Sequence, residues 1–190
     1  STSVIGRSIE SDNSFADSAK VDKTLTVTPV ADAPSASSSD VEVSNGVEDA
    51  AIGSGNTAKI RVKADLTDTD GSEQLSIILK LPSDVSGATF VPSSGSAVTG
   101  TVVTNLSGYD GQRVVSFDVT SSQEKTGKFE FELSMADHFS GTTSVDVIAR
   151  STDGLDTDDT NTEDTSVGTH SVTVTPVADA PTLPSVTVEA

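Results

Sequence analysis

The sequence of 190 residues holds 29 acidic and 11 basic side chains, which give it a net charge of −18 at neutral pH. This charge argues against nucleic acid and anionic membranes as partners, because both would repel it, and the absence of cysteine excludes disulfide bonds and thiolate metal sites. Hydrophobic residues make up 34% and aromatic residues 4% of the chain, so the core is small for the length and an additional stabilising element, such as bound cations, is expected.

The first feature in chain order is an internal repeat. Residues 26–34 and residues 173–181 both read TVTPVADAP, at an offset of 147 positions. Upstream of these, residues 4–8 (VIGRS) match residues 147–151 (VIARS) at an offset of 143, and the difference falls in an acidic loop. Two collinear matches indicate that the chain comes from an array of similar units.

The repeat also predicts domain boundaries. Residues 1–33 would be the C-terminal strands of a preceding unit or half of a split domain, residues 34–181 a complete unit, and residues 182–190 the start of the next one. Because the chain starts at Ser1 and both ends match the repeat pattern, we expect it to be part of a longer polypeptide. It contains no signal-peptide pattern and no run of 18 apolar residues that would predict a membrane-spanning helix.

Short runs in which β-branched and aromatic residues alternate with polar ones extend through the unit, with no helical spacing of apolar residues. The predicted strands are 24–30, 59–63, 74–81, 100–104, 113–120, 128–134, 143–150 and 171–177. Clusters of Gly, Pro, Asn, Asp and Ser separate them, as is typical of turns and surface loops, and include 35–40, 92–97 and 153–164. This pattern predicts an all-β fold, an antiparallel β-sandwich.

The sequence LTDTDGSEQL, at residues 66–75, is the first candidate metal site. Asp68, Asp70 and Glu73 occupy positions 1, 3 and 6 of a turn in which Gly71 permits a sharp bend. Calcium binds six to eight oxygen ligands with tolerant geometry, so alternating carboxylates on a turn suit it. An EF-hand is excluded because position 12 holds no Glu and no helices flank the loop. The alternative is a solvated acidic turn between two strands.

Three further groups of carboxylates are candidate calcium ligands. Glu48 and Asp49 are adjacent near the start of the unit, and Asp32 and Asp179 lie between prolines in the two copies of VADAP. These prolines stiffen the junction, so an Asp there could share an ion with a neighbouring unit, or the segment could be only a rigid spacer. The third group is the acidic loop, which would become ordered only by binding cations, and its predicted ligands are Asp153, Asp156 and Asp158.

Five segments of the chain form a recognisable set: DAP, VEDAAI, LTDTDGSEQLSI, ADHFSGT and VTVTPVADAP. Together they resemble the cadherin-like or immunoglobulin-like repeats of giant RTX adhesins, which bacteria export by type I secretion. The resemblance extends over residues 34–181, and residues 1–33 match the end of the same repeat. It implies a calcium-stabilised sandwich with calcium at the junctions between units. The implied ligands are an early Glu, an internal Asp-x-Asp and the linker Asp, which correspond here to Glu48, to Asp68 and Asp70, and to Asp179, with Asp32 serving the preceding junction.

The resemblance further implies a secreted protein tethered to the bacterial outer membrane, whose carboxylate repulsion is relieved by calcium outside the cell. Its expected partners are neighbouring units of the same chain and a peptide or glycan on another cell. The unit is longer than the roughly 100 residues of a common sandwich domain, and the surplus lies in residues 82–113 and in the acidic loop. Extended loops often bind ligands, and Tyr109 and Asp110 are the predicted ligand-binding residues. The alternative is an extender that spaces and stiffens the adhesin.

An enzymatic function is not expected. The sequence has no cysteine nucleophile, no G-x-S-x-G motif and no zinc-ligand spacing. Of the two histidines, His138 belongs to a turn of this repeat type. Carboxylate pairs alone would be compatible with a glycosidase, but a chain with one tyrosine and no tryptophan is poorly equipped to line a cleft for sugar rings.

Overall fold

A computed structural model gives the structure over residues 2–12, 14–24, 30–68, 70–153 and 161–179. Within these ranges the chain forms β-strands with two short 3-10 turns, at Ser38–Asp40 and Ser121–Gln123, and no α-helix. The strands are β1 (Thr2–Val4), β2 (Arg7–Ile9), β3 (Phe15–Asp17), β4 (Val21–Lys23), β5 (Val41–Ser44), β6 (Gly46–Val47), β7 (Lys59–Val62), β8 (Glu73–Lys80), β9 (Val85–Val91), β10 (Val98–Thr99), β11 (Val114–Val119), β12 (Phe129–Met135), β13 (Gly141–Asp153) and β14 (Thr162–Thr175). The described part also contains no helix that is long and apolar enough to span a membrane.

Strands β5 to β14 form two five-stranded sheets. The first sheet has the order β10-β9-β12-β7-β5 and the second has the order β11-β8-β13-β14-β6. Neighbouring strands are antiparallel, with one departure from the predicted architecture: β6 pairs with β14 in parallel. The long β13–β14 hairpin shifts register at a bulge after Val147, where Gly168 has a φ of 114°. The predicted all-β class with mainly antiparallel strand pairing is therefore confirmed, and the two sheets are consistent with a β-sandwich.

Both sheets contribute to one hydrophobic core. Ile60, Phe90 and Phe131 come from the first sheet, and Ile77 and Phe117 from the second. The rings of Phe117 and Phe131 lie 5.1 Å apart between centroids, and those of Phe90 and Phe131 lie 5.2 Å apart. Tilted ring pairs at this spacing are favourable beyond the area that they bury. A small number of aromatic side chains thus holds the two sheets together.

Strand β12 shows how the period-two pattern works out in three dimensions. Phe129, Phe131 and Leu133 point into the core, whereas Glu130 and Glu132 point to the outer face of the sheet. These two glutamates are nevertheless only 1% and 3% exposed. Lys59 forms ion pairs with both glutamates, and Arg61 pairs with Glu130. The backbone amide of Gly53, in the loop after β6, also donates to Glu132. The buried charges are therefore paired, as burial requires.

Most predicted strands are present, with shifts of a few residues at their ends. The predicted segments 59–63, 74–81, 113–120, 128–134, 143–150 and 171–177 overlap β7, β8, β11, β12, β13 and β14. Segment 100–104 is not a strand, and only Val103 forms an isolated bridge there. Strands β5, β6, β9 and β10 were not predicted, and most of segment 24–30 lies outside the described residues.

Strands β1 to β4 form a separate two-stranded ribbon, in which β1 pairs with β4 and β2 with β3. Its pairing repeats that of the β13–β14 hairpin: Val4 faces Val21 and Arg7 faces Asp17, as Val147 faces Gly168 and Arg150 faces Asp164. The sequence repeat thus has a matching structural repeat. The domain boundaries drawn from it remain predictions.

Candidate metal and ligand sites at the two poles

The chain joins the sandwich at one end and leaves it at the other. Residues 30–35 contact the end of β13 that carries Asp153, and β14 leaves beside Gly141 at the opposite end. We call these ends the N-terminal pole and the C-terminal pole. Strand β13 spans Gly141 to Asp153, which at about 3.3 Å per residue separates the poles by roughly 40 Å.

At the N-terminal pole the junction segment is bonded to several strands and loops. The amide of Asp32 donates to Glu73 Oε1 at 2.6 Å, and the amide of Ala31 donates to Asn161 Oδ1 at 2.9 Å. The hydroxyl of Ser151 donates to the carbonyl of Asp32. Further along, Thr165 Oγ1 donates to the carbonyl of Pro34 at 2.6 Å. The VADAP segment is therefore a fixed part of this pole and not a free linker.

Two carboxylates face each other across strands at this pole. Glu73 on β8 is paired with Asp153 on β13, so their side chains lie on the same face of the sheet. Asp153 is 4% exposed, and Glu73 Oε2 is fully buried without a hydrogen-bond partner among the described residues. Like charges directly opposite each other are destabilising, and a buried unpaired oxygen adds a desolvation cost. A cation would remove both penalties.

Asp68 and Asp70 occupy the predicted acidic turn. The amide of Asp70 donates to Asp68 Oδ1 at 2.9 Å, and Ser72 donates to Asp70 Oδ1 through its amide at 2.8 Å and its hydroxyl at 2.6 Å. These bonds from Ser72 lower the pKa of Asp70. Gly71 has a φ of 93°, the conformation predicted for this bend. Asp68 and Glu73 line the same cavity, which opens at this pole, whereas Asp70 is exposed. We call Asp32, Asp68, Glu73 and Asp153 the N-pole cluster.

At the C-terminal pole the structure brings together Glu48, Asp49 and His138. Their potential ligand atoms lie within 4.8 Å of one another, and among the described residues no other group of three His, Cys, Asp or Glu side chains meets that distance. His138 Nδ1 lies 3.5 Å from Asp49 Oδ2 and 3.8 Å from Asp179 Oδ2, and the amide of Val177 donates to Glu48 Oε2 at 2.9 Å. We call these four side chains, Glu48, Asp49, His138 and Asp179, the C-pole cluster.

The predicted calcium ligands therefore divide between two poles about 40 Å apart. The structure places Glu48, Asp49 and Asp179 at one pole and Asp32, Asp68, Glu73 and Asp153 at the other. Asp156 and Asp158 lie outside the described residues. His138, which sequence analysis assigned to a turn, has a φ of 59° and also faces these carboxylates. Sequence reasoning missed Asn161 and Ser151, because only the fold brings them to the junction.

The predicted ligand-binding pair, Tyr109 and Asp110, lies on the outer face of the second sheet. Tyr109 is 8% exposed, packs with Ile78 and Ile148, and donates its hydroxyl to Asp164 Oδ2 at 2.8 Å. Asp110 beside it is exposed. The packing and hydrogen bond of Tyr109 stabilise the fold, which is enough to explain its position. A ligand-binding role for Tyr109 and Asp110 remains a prediction.

A spectroscopic prediction follows from this packing, because Tyr109 is the only tyrosine in the chain. Burial, together with the hydrogen bond to Asp164 and its negative charge, raises the pKa of Tyr109 to about 12. Absorbance at 295 nm should therefore show one ionisation near pH 12 in the folded protein and near pH 10 in concentrated urea. Since the folded state keeps the proton longer, stability should fall as the pH rises from about 10 to 12. A folded-state midpoint near 10 would contradict the assigned environment.

Comparison with known proteins gives little further guidance. No protein-family model and no curated protein sequence matches the chain. Among solved structures, the crystal structure of AggA, the major subunit of aggregative adherence fimbriae type I from Escherichia coli, is similar at 11% identity over 80% of this chain and 100% of that one, with a TM-score of 0.32. A likeness this weak supports no functional assignment.

Proposed function

We propose that this chain is a calcium-dependent adhesion module of a large secreted bacterial surface protein, binding a peptide or glycan on another cell. The observation that carries the calcium part is the N-terminal pole, where a junction segment is bonded to Glu73. Among the residues that the structure describes, the buried Glu73 Oε2 beside Asp153 has no hydrogen-bond partner. A hydrated acidic turn would leave its carboxylate oxygens in water. This arrangement instead suits a site that holds a cation.

The chemistry of the donor set favours calcium over softer metals. The N-pole cluster offers carboxylate oxygens, with the Asn161 side chain and backbone carbonyls nearby, and oxygen ligands of mixed type are those that calcium prefers. Asp153 and Glu73 would hold the ion, and Asp32 and Asp68 would complete the set. A bound cation would supply a partner for the buried Glu73 Oε2 and weaken its repulsion by the opposite carboxylate.

The internal repeat extends this proposal to the junction between units. Asp179 occupies the same position in its VADAP segment as Asp32 does in the first copy. In an array, the junction segment would therefore contact the C-pole cluster of one unit through Val177 and Glu48, as it does here. It would contact the N-pole cluster of the next unit through the linker Asp, as Asp32 does. Calcium at each junction would then fix the angle between consecutive units.

The test is a thermal melt in millimolar calcium and in excess EDTA. A ligand at about 100 times its dissociation constant adds about 2.7 kcal/mol, which for a domain of this size raises the melting temperature by roughly 5–10 °C. Glu73→Gln should lose most of that difference, and Glu10→Gln, on the separate ribbon, should keep it. Equal melting temperatures of the unmodified protein in calcium and EDTA would refute the calcium proposal.

A second function, that of an extender, is favoured by the separation of the two poles. The chain joins one end of the sandwich and leaves the other, so each unit would add roughly 40 Å to an array. A saturable, calcium-dependent signal on a peptide or glycan array would support ligand binding. Many near-identical copies of the unit in the parent gene would support the extender, because spacers are repeated whereas binding sites seldom are.

A further inference from the structure

A cavity opens between the two sheets at the N-terminal pole. Its volume is about 570 Å³, within the range of roughly 300–1,000 Å³ that ligand pockets occupy. The floor is apolar, formed where β7, β8, β11 and β12 begin or end, by Ala64, Leu66, Leu75, Val119 and Phe129. Leu66 is the partly exposed member of this floor, whereas the other four side chains are buried, so Leu66 is the side chain that an apolar group of a partner would contact.

The wall of the cavity carries one sign of charge. Asp65, Asp68, Glu73 and Glu124 line it, and the described lining contains no Lys, Arg or His. Lys63 lies just outside, with its Nζ 3.8 Å from Asp65 Oδ2, and is 51% exposed. Asp68 and Glu73 belong to the N-pole cluster, so Asp65 and Glu124 are the carboxylates that keep the rim negative when a cation is bound there. A negative rim around an apolar floor selects for an occupant that is apolar and also carries a positive charge.

Glu124 is the least compensated of these carboxylates. Its carboxylate forms no hydrogen bond or ion pair with any described residue, although the side chain is half-buried. Burial, and then the negative charge of Asp65, raise its pKa. A partly desolvated carboxylate without a partner costs stability in the free protein. A cationic donor from a ligand would remove that cost at the moment of binding.

We propose that this cavity binds a peptide segment in which an apolar side chain is followed by a lysine, with the apolar side chain on the floor and the ammonium group on Glu124. A sugar ring fits less well, because Phe129, the only aromatic side chain among the described lining residues, is 1% exposed and offers no ring face for stacking. This inference deepens the adhesive function proposed above by naming its ligand and its site. Glu124 and Asp65 are not members of the N-pole cluster, so the calcium proposal and this one can fail separately.

The test is a titration followed by ¹H–¹⁵N correlation spectra of the whole chain in millimolar calcium. The probe is the blocked peptide Ac-Gly-Leu-Lys-Gly-NH₂, and the matched probe carries norleucine in place of lysine. We expect saturable shifts at the amides of Leu66, Leu75 and Val119. We also expect the lysine peptide to bind at least about tenfold more tightly than the norleucine peptide, since a charged hydrogen bond supplies that preference.

Glu124→Gln separates recognition from structure. In this variant most of the preference for lysine should be lost, because only the longer-range attraction of the other rim carboxylates remains. The melting temperature without peptide should stay the same or rise, because an uncompensated carboxylate has been removed. Glu42→Gln, on the exposed edge strand β5, should keep the preference for lysine. The cycle of two peptides and two proteins isolates the contact between lysine and Glu124.

Three results would overturn the proposal: no saturable shift, shifts confined to residues away from the cavity, or equal affinity of the unmodified protein for both peptides. A preference for lysine that is undiminished in Glu124→Gln would also overturn it. If the melts in calcium and EDTA are identical while the preference for lysine depends on Glu124, the calcium proposal fails and this one stands.

Discussion

Replacing Arg150 by methionine is expected to lower the free energy of unfolding by about 3 kcal/mol, because it leaves the partly buried carboxylate of Asp164 without its cationic partner. Arg150 donates from Nε to Asp164 Oδ1 at 2.8 Å and from Nη2 to Asp164 Oδ2 at 2.9 Å. The side chains are 6% and 32% exposed. These bonds outweigh burial and hold the pKa of Asp164 below its ordinary value. The measurement is urea unfolding of both proteins in calcium.

The molecule contains its own control for this experiment. Arg7 donates to Asp17 in the same two-pronged geometry, at 2.6 and 2.9 Å, and at the equivalent place in the repeat. Its side chain is 53% exposed, so solvent screens the pair, and Arg7→Met should leave the urea midpoint of the sandwich unchanged. Equal effects of the two substitutions would show that burial does not decide the strength of this pair. The double variant with Arg150→Met and Asp164→Leu should recover only part of the lost stability, because it also removes the acceptor of the buried Tyr109 hydroxyl.

Phe131→Ala is expected to cost about 3–5 kcal/mol, the range for removing a buried aromatic side chain. Phe131 is 0% exposed, and its ring lies near both Phe90 and Phe117, so its loss removes ring contacts within and between the sheets. A typical domain has only about 5–15 kcal/mol of stability. The variant should therefore unfold at a much lower urea concentration with an unchanged slope, which circular dichroism would show.

The matched control is Phe131→Leu, which keeps most of the apolar volume and should cost markedly less than the alanine variant. Phe15→Ala is a second control, because Phe15 is 61% exposed on the ribbon. A loss of less than about 1 kcal/mol for Phe131→Ala would mean that the two sheets are not held together by the aromatic contacts described above.

Much of the architecture could be read from local patterns. The alternation in segments 113–120 and 128–134 corresponds to β11 and β12, because alternate residues of a strand face opposite sides of a sheet. Strand β9 was missed, since its sequence VSGATFV breaks the alternation with Gly87 and Ala88. Segment 100–104 looked like a strand, but a Cβ at Gly100 would lie 2.1 Å from Val115 Cγ1, so this stretch is shaped by close packing.

The candidate sites were predictable only in part. The motif TDTDGSE and the repeated VADAP segments marked Asp68, Glu73, Asp32 and Asp179 as acidic positions on turns and junctions, because their residue types are explicit in the sequence. No sequence spacing could indicate that Glu73 and Asp153 are cross-strand partners, since 80 positions separate them. The sequence did not mark Glu124 as a candidate binding residue, because an isolated acidic residue in a turn is ordinarily solvated.

The sequence by itself determined the strand-rich class, the repeated unit, the lack of thiol chemistry and the excess of negative charge, because these depend on composition and on local periodicity. The tertiary structure alone decided which carboxylates meet, which are buried and which lack a partner. The physical reason is that pairing between distant strands sets the distance and the desolvation of a charge. Both quantities depend on neighbours that lie far away in the chain.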